Sequence, residues 1–167
     1  MAVLSRCAPP TWARRSIPEE ACEYFHAMDE WMASETEAPV RPALILVAED
    51  DAEMRAFLGQ ALQEEGHEVL GAANGAELLE RLESLVACGR EPDLVISDVR
   101  MPGISGLELL EALRETWWLP VILITAFGDH SLHETASERG ASRVLDKPFE
   151  IDYLLGTVSD VLRRAHP

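Results

Sequence analysis

Five short runs rich in apolar residues, each followed by a stretch with helical spacing, constrain this chain more than any other feature. The runs are Ala43–Ala48, Glu68–Ala72, Leu94–Ser97, Pro120–Ile124 and Ser142–Leu145. Near-continuous apolar runs, rather than alternating ones, indicate strands covered on both faces. Strand and helix in strict alternation indicate that those strands lie parallel. Right-handed crossovers then wind helices onto both faces of one sheet. The expected fold is an α/β doubly wound five-stranded parallel sheet in the order 2-1-3-4-5, with its switch point between the first and third strands.

The helical stretches are set by periodicity and punctuation. Met54, Phe57, Leu58, Ala61 and Leu62 give Ala52–Glu65 a helical face, and Gly66 is its stop. Asn74 and Glu77 cap a helix that uses Leu78, Leu79, Leu82 and Leu85. Leu107, Leu109, Leu110 and Leu113 define a third helix near Ser105–Thr116. Ser131–Arg139 is a weaker helix closed by Gly140, and Glu150–Arg164 is the last.

Residues 1–42 have a different character and read as an N-terminal extension, leaving 43–167 as the folded domain. Ser16 and Glu19 resemble a capping box, with Pro18 suited to a first helical turn. Ala21, Tyr24, Phe25, Met28, Trp31 and Met32 then recur at helical spacing, which predicts an amphipathic helix over 18–34. A linker containing Pro39 and Pro42 follows. The helix is expected either to pack on the domain or to dock on a partner, including a second copy to give a homodimer.

The candidate chemistry lies where the strands end. The first run closes in Glu49-Asp50-Asp51, the third in Asp98, the fourth in Thr125 and the fifth in Asp146-Lys147-Pro148. In a parallel sheet these ends share one edge, the edge at which open α/β sheets bind ligands. Singly, each residue has an ordinary explanation: Asp50 or Asp51 as a helix cap, Thr125 bonded to backbone, Lys147 as a solvated charge. Together they make a coherent site. Clustered carboxylates repel one another and favour a divalent cation, and a few oxygen ligands with room for water suit Mg²⁺. A carboxylate nucleophile, a metal, a compact ammonium and a hydroxyl donor are the parts that phosphoryl transfer to an aspartate needs.

Charge and composition narrow the rest. Formal net charge is −16. From residue 43 onward there are ten bases against twenty-three acids, so the acidity lies mainly in the folded part and disfavours phosphate-backbone contacts with nucleic acid. Lys147 is the only lysine among fourteen basic residues, which marks it as a place where Arg would not serve. Three cysteines, Cys7, Cys22 and Cys88, show no ligand spacing and read as thiols of a cytoplasmic protein. The apolar runs are too short to cross a membrane.

On these motifs, residues 43–164 resemble the receiver domain of two-component response regulators. The matching segments are Ile45-Leu-Val-Ala-Glu-Asp-Asp51 with Arg55, Asp98-Val-Arg-Met-Pro-Gly103 with Gly106, Pro120-Val-Ile-Leu-Ile-Thr-Ala126, and Asp146-Lys-Pro-Phe149. The resemblance implies a flavodoxin-like fold, with Asp98 as phosphoacceptor and Glu49 and Asp50 as its acidic pair. It further implies Mg²⁺ held by Asp50, Asp98 and the Arg100 carbonyl with help from Glu49. Thr125 would be the switch hydroxyl and Lys147 the phosphate-facing cation, before a cis Lys147–Pro148 bond. The phosphoryl group would come from a sensor histidine kinase or phosphotransfer protein. Output would be contact with a downstream protein target, because no output domain follows the last helix. The module would catalyse only its own phosphotransfer and dephosphorylation. Val144 departs from the pattern, which places Tyr or Phe three residues before the lysine.

Two other classes are weighed against this reading. A Mg²⁺-dependent phosphatase of the haloacid dehalogenase type also uses a strand-end Asp, but wants a second acid where Arg100 stands. A binding module without phosphorylation would not need the full set of chemical residues. Elsewhere, His130 and His133 are three apart, which suits an exposed helix end better than a metal pair. Trp117 and Trp118 are expected to cover the sheet edge, and Phe127 is expected to shield the phosphoryl site together with Arg100.

Overall fold

A computed structural model describes residues 42–126, 128 and 130–165. The expected helix over 18–34 and Phe127 lie outside the described residues.

Strands β1 (Leu44–Ala48), β2 (Glu68–Ala72), β3 (Leu94–Asp98), β4 (Val121–Thr125) and β5 (Arg143–Asp146) form one parallel sheet in the order β2-β1-β3-β4-β5. Helices α1 (Ala52–Glu64), α2 (Gly75–Ala87), α3 (Gly106–Thr116), α4 (His130–Glu138) and α5 (Ile151–Ala165) complete the alternation. This is the doubly wound arrangement that the sequence predicts.

Every residue of β1, β3 and β4 is buried, which is why those strands read as continuous apolar runs. Their side chains alternate between two cores. Ile45, Val47, Leu94, Ile96, Ile122, Ile124 and Leu145 face Leu58 and Leu62 of α1 and Leu154, Val158 and Leu162 of α5. Leu46, Ala48, Val95, Val121 and Leu123 face Leu78 and Leu82 of α2, Leu109, Leu110 and Leu113 of α3, and Ala136 of α4.

Helix starts follow from local chemistry. Asp51 caps α1 by accepting from the Glu53 and Met54 amides at 2.8 and 2.9 Å. Asn74 caps α2. Ser105 and Glu108 form a reciprocal capping box at α3. The residue after that cap must be glycine: a Cβ on Gly106 would overlap the Asp98 carbonyl oxygen and meet Val99 Cα at 2.9 Å. The N-terminus of α3 is thereby packed directly against the end of β3.

β4 closes in Thr125, as the sequence places it. One expectation needs correction. The tryptophan pair does not act together. Trp117 packs against the core, whereas Trp118 is 89% exposed. The α3 helix ends at Thr116 and the chain extends at Trp117, so consecutive side chains diverge.

Candidate functional site

The carboxyl edge of the sheet gathers the polar residues that the fold buries. Glu49, Ser97, Asp98 and Thr125 are all buried, at 2, 0, 6 and 1% exposure. Burial of this depth requires partners.

Ser97 Oγ donates to the Asp98 carbonyl at 2.9 Å, and Lys147 serves the two carboxylates. Its Nζ donates to Glu49 Oε2 at 2.7 Å and to Asp98 Oδ1 at 2.8 Å. The other Asp98 oxygen accepts from the Arg100 backbone N–H at 2.6 Å. The turn after β3 therefore folds back onto its own acid. Lys147 itself is held at the strand end, where its backbone N–H donates to the Thr125 carbonyl at 2.7 Å. The Lys147–Pro148 bond is cis, as the resemblance implies.

The charges are uneven in their settings. Burial pushes the Glu49 carboxyl above its ordinary value, and the bond to Lys147 and its charge only partly oppose this. Burial pulls on Lys147 in the discharging direction. The bonds and charges of Asp98 and Glu49 together outweigh it, so the ammonium is held above its ordinary range. Asp50 is exposed, yet oxygens of Glu49, Asp50 and Asp98 all lie within 4.8 Å of one another. Three hard oxygen donors so close, one of them open to water, fit a small divalent cation that keeps part of its hydration shell.

Of the residues expected at the site, Glu49, Asp98 and Lys147 are in direct contact, and Asp50 joins the carboxylate group. Arg100 reaches Asp98 through its backbone. Thr125 closes the neighbouring strand, whose Ile124 is the register partner of Asp98. Asp51, the additional acid, is a helix cap. His130 and His133 do not share a ligand: His130 sits 3.4 Å from Glu134, and His133 turns to Asp146.

Two contacts were not anticipated. Arg55 donates to the Glu49 carbonyl at 2.5 Å and to the Asp50 carbonyl at 3.5 Å, and so holds the backbone of the acidic loop. Its place one helical turn after the Asp51 cap was the available signal. His133 bonding to Asp146 had none, because the two are thirteen residues apart on different elements.

A doubly wound α/β domain with an acid-and-lysine site on its carboxyl rim is the class that fold and site define. Comparison with known proteins carries this to a family. Residues 45–159 match the model of the response regulator receiver domain. Over 124 residues the chain is 36% identical to the transcriptional regulatory protein PdtaR of Mycobacterium tuberculosis, covering 74% of this chain and 58% of that one. It is 36% identical to the transcriptional regulatory protein CpxR of Escherichia coli, covering 73% and 50%. The chain thus spans about half the length of these curated relatives. Among solved structures, the chemotaxis protein CheY4 of Vibrio cholerae superposes with a TM-score of 0.65 at 31% identity, covering 72% of this chain and 98% of that one. A CheY-like receiver domain protein from Methanospirillum hungatei gives 0.67 at 26%, covering 74% and 96%.

The chain belongs to the response regulator receiver domain family. It carries the receiver domain of a two-component response regulator, a signalling module rather than a classical enzyme, of a kind in which phosphorylation and magnesium binding are typical. No described helix is long and apolar enough to cross a membrane.

Proposed function

We propose that residues 43–167 are a phosphorylation switch whose acceptor is Asp98, with 1–42 as an extension. The observation that carries the reading is the Lys147 ammonium bridging Asp98 and Glu49 on the buried carboxyl rim. A nucleophilic carboxylate needs a neighbouring cation to bring up an anionic phosphoryl group, and a point charge on a long stem can turn from carboxylate to phosphoryl oxygen.

The donor is a histidine kinase or phosphotransfer protein. An Asp98 oxygen forms a bond to phosphorus as the phosphorus–nitrogen bond to the donor imidazole breaks. The nitrogen keeps the electron pair, and the product is an acyl phosphate. Lys147 offsets the incoming charge, and the Thr125 hydroxyl donates to a second phosphoryl oxygen. Asp50, Asp98 and the Arg100 carbonyl, with Glu49 behind them, would hold Mg²⁺, which supplies charge neutralisation for the transferred group. Water later cleaves the acyl phosphate within the same site, so the domain catalyses its own phosphotransfer and dephosphorylation.

Output in this reading is contact with a downstream protein through the α4–β5–α5 side, toward which Thr125 and Lys147 lead. Twenty-three acids against ten bases from residue 43 onward weigh against nucleic acid as the ligand of this domain itself. A haloacid dehalogenase-type phosphatase lacks support, since position 100 offers Asp98 a backbone N–H from an arginine rather than a second acid.

The test is incubation with a small acyl phosphate and Mg²⁺, read by intact mass. Wild type should gain one phosphoryl group and Asp98→Asn none. Equal labelling of the two proteins overturns the assignment.

A further inference from the structure

Asp146 stands at a junction. Its register partner on β4 is Thr125, and its chain neighbour is Lys147. Successive strand residues face opposite sides. Lys147 reaches Asp98, while Asp146 points to the other side of the sheet with Val144, which packs on the core that includes Ala136 of α4. There the two Asp146 oxygens lie 3.0 and 3.1 Å from His133 Nε2. An ionised carboxylate only accepts, so this nitrogen carries the proton and the imidazole donates. Gly128, in the connection from β4 to α4, lies against the same pair. A Cβ there would overlap Asp146 Oδ1 and sit 2.7 Å from His133 Nε2.

We infer that Asp146 and His133 are a positioning pair that couples the state of Asp98 to the placement of α4. The inference rests on the phosphoacceptor reading above. α4 has nine residues and rests on the core through buried Ala136 and partly buried Leu132, a short packed face on which a side-chain tie has leverage. A phosphoryl group on Asp98 draws the Lys147 ammonium and the Thr125 hydroxyl toward new oxygens. Asp146 is bonded covalently to Lys147 and paired with Thr125, so it moves with them, and its carboxylate carries His133 and α4 along. The side chains of the pair are 38% and 52% exposed, where an ion pair adds little stability. Removing it should therefore leave the domain folded.

The experiment uses the full chain with beryllofluoride and Mg²⁺ as a stable stand-in for the phosphoryl group. Fluorine NMR reads its uptake at Asp98, and hydrogen exchange reads the amides of α4 with and without it. In wild type the analogue should change α4 exchange by about fivefold or more, the low end of ordinary coupling between sites. His133→Ala should bind the analogue equally while α4 loses that response. His133→Gln, whose amide can still donate to Asp146, should restore most of it. A merely structural role would speed α4 exchange equally with and without analogue, which overturns the inference, as does an undiminished response in His133→Ala. An absence of uptake by wild type is a separate result: it removes the phosphoacceptor reading and this inference with it.

Discussion

Lys147→Met perturbs the site without touching a carboxylate. Methionine keeps most of the stem's apolar length and deletes the ammonium. The lost charge sits 2.7 Å from Glu49 and 2.8 Å from Asp98, whose side chains are 3% and 7% exposed. Removing one partner of a buried pair costs about 3–5 kcal/mol, because the remaining charge is left uncompensated. The Lys147 side chain keeps 19% exposure and Asp50 beside it is open to water, so the low end applies. We expect a loss of about 3 kcal/mol at pH 7 in EDTA, on the order of a hundredfold in the unfolding equilibrium. The pH dependence has a definite sign. The Lys147 pKa is raised on folding, so its contribution is full below the unfolded value and lost only as alkaline pH passes the folded one; at pH 7 wild type has all of it. Glu49 is also raised, which makes its ionised form the destabilising one. Stability linked to Glu49 is full in acid and lost as pH rises through its folded value. Without Lys147 the two influences that lower Glu49 vanish, so the deficit should shrink as pH falls from 7 toward 5. Divalent cation should recover part of it, because the carboxylates freed of the Lys147 ammonium bind the ion more tightly than in wild type, and each tenfold gain in affinity is worth about 1.4 kcal/mol at saturating ion. Urea unfolding of both proteins, in EDTA and in Mg²⁺ at pH 5 and 7, measures all three terms. A deficit below about 1 kcal/mol in EDTA at pH 7, the range of an exposed pair, or one that grows toward pH 5, refutes the reasoning.

His67 is buried at 8% exposure, and its Nδ1 accepts from the Ala43 N–H at 3.2 Å. Burial lowers its pKa on folding, so stability is full above the unfolded value of about 6.5 and falls as pH drops below it; His67→Asn, which can still accept from Ala43, should flatten that slope in urea titrations between pH 7 and 5. Gly106→Ala should cost about 1–3 kcal/mol, the usual range for overpacking, because its Cβ meets backbone rather than a movable side chain; unchanged thermal stability would show that α3 is not seated against β3. Trp118→Ser should change stability by less than about 0.5 kcal/mol, since the ring is almost wholly exposed. Lys147→Arg should slow phosphoryl uptake from a small acyl phosphate despite keeping the charge, because a planar fork cannot occupy a point-charge position between two carboxylates; an unchanged rate would make Lys147 an interchangeable cation.

Local rules were enough for the elements and most of the site. Continuous apolar runs declared strands buried on both faces, and Asn74, Ser105 and Gly66 marked helix ends because caps and stops act through neighbours in sequence. The strand ends were legible as one rim, since parallel strands joined by crossovers must bring their carboxyl ends to the same edge. Glu49, Asp50, Asp98, Thr125 and Lys147 could therefore be grouped before any coordinates. Tertiary structure alone decided how the group is wired. Glu49 and Lys147 are ninety-eight residues apart, and no local pattern encodes a bond between them. The fate of Asp51 as a cap, of Arg55 as a clamp on the Glu49 and Asp50 carbonyls, and of Trp118 as an exposed ring turned on backbone directions at helix ends. His133 meeting Asp146 depended on how closely α4 lies over β5. Periodicity gives a helix a face; only packing against one strand, at one height, selects which side chain of that face finds a partner.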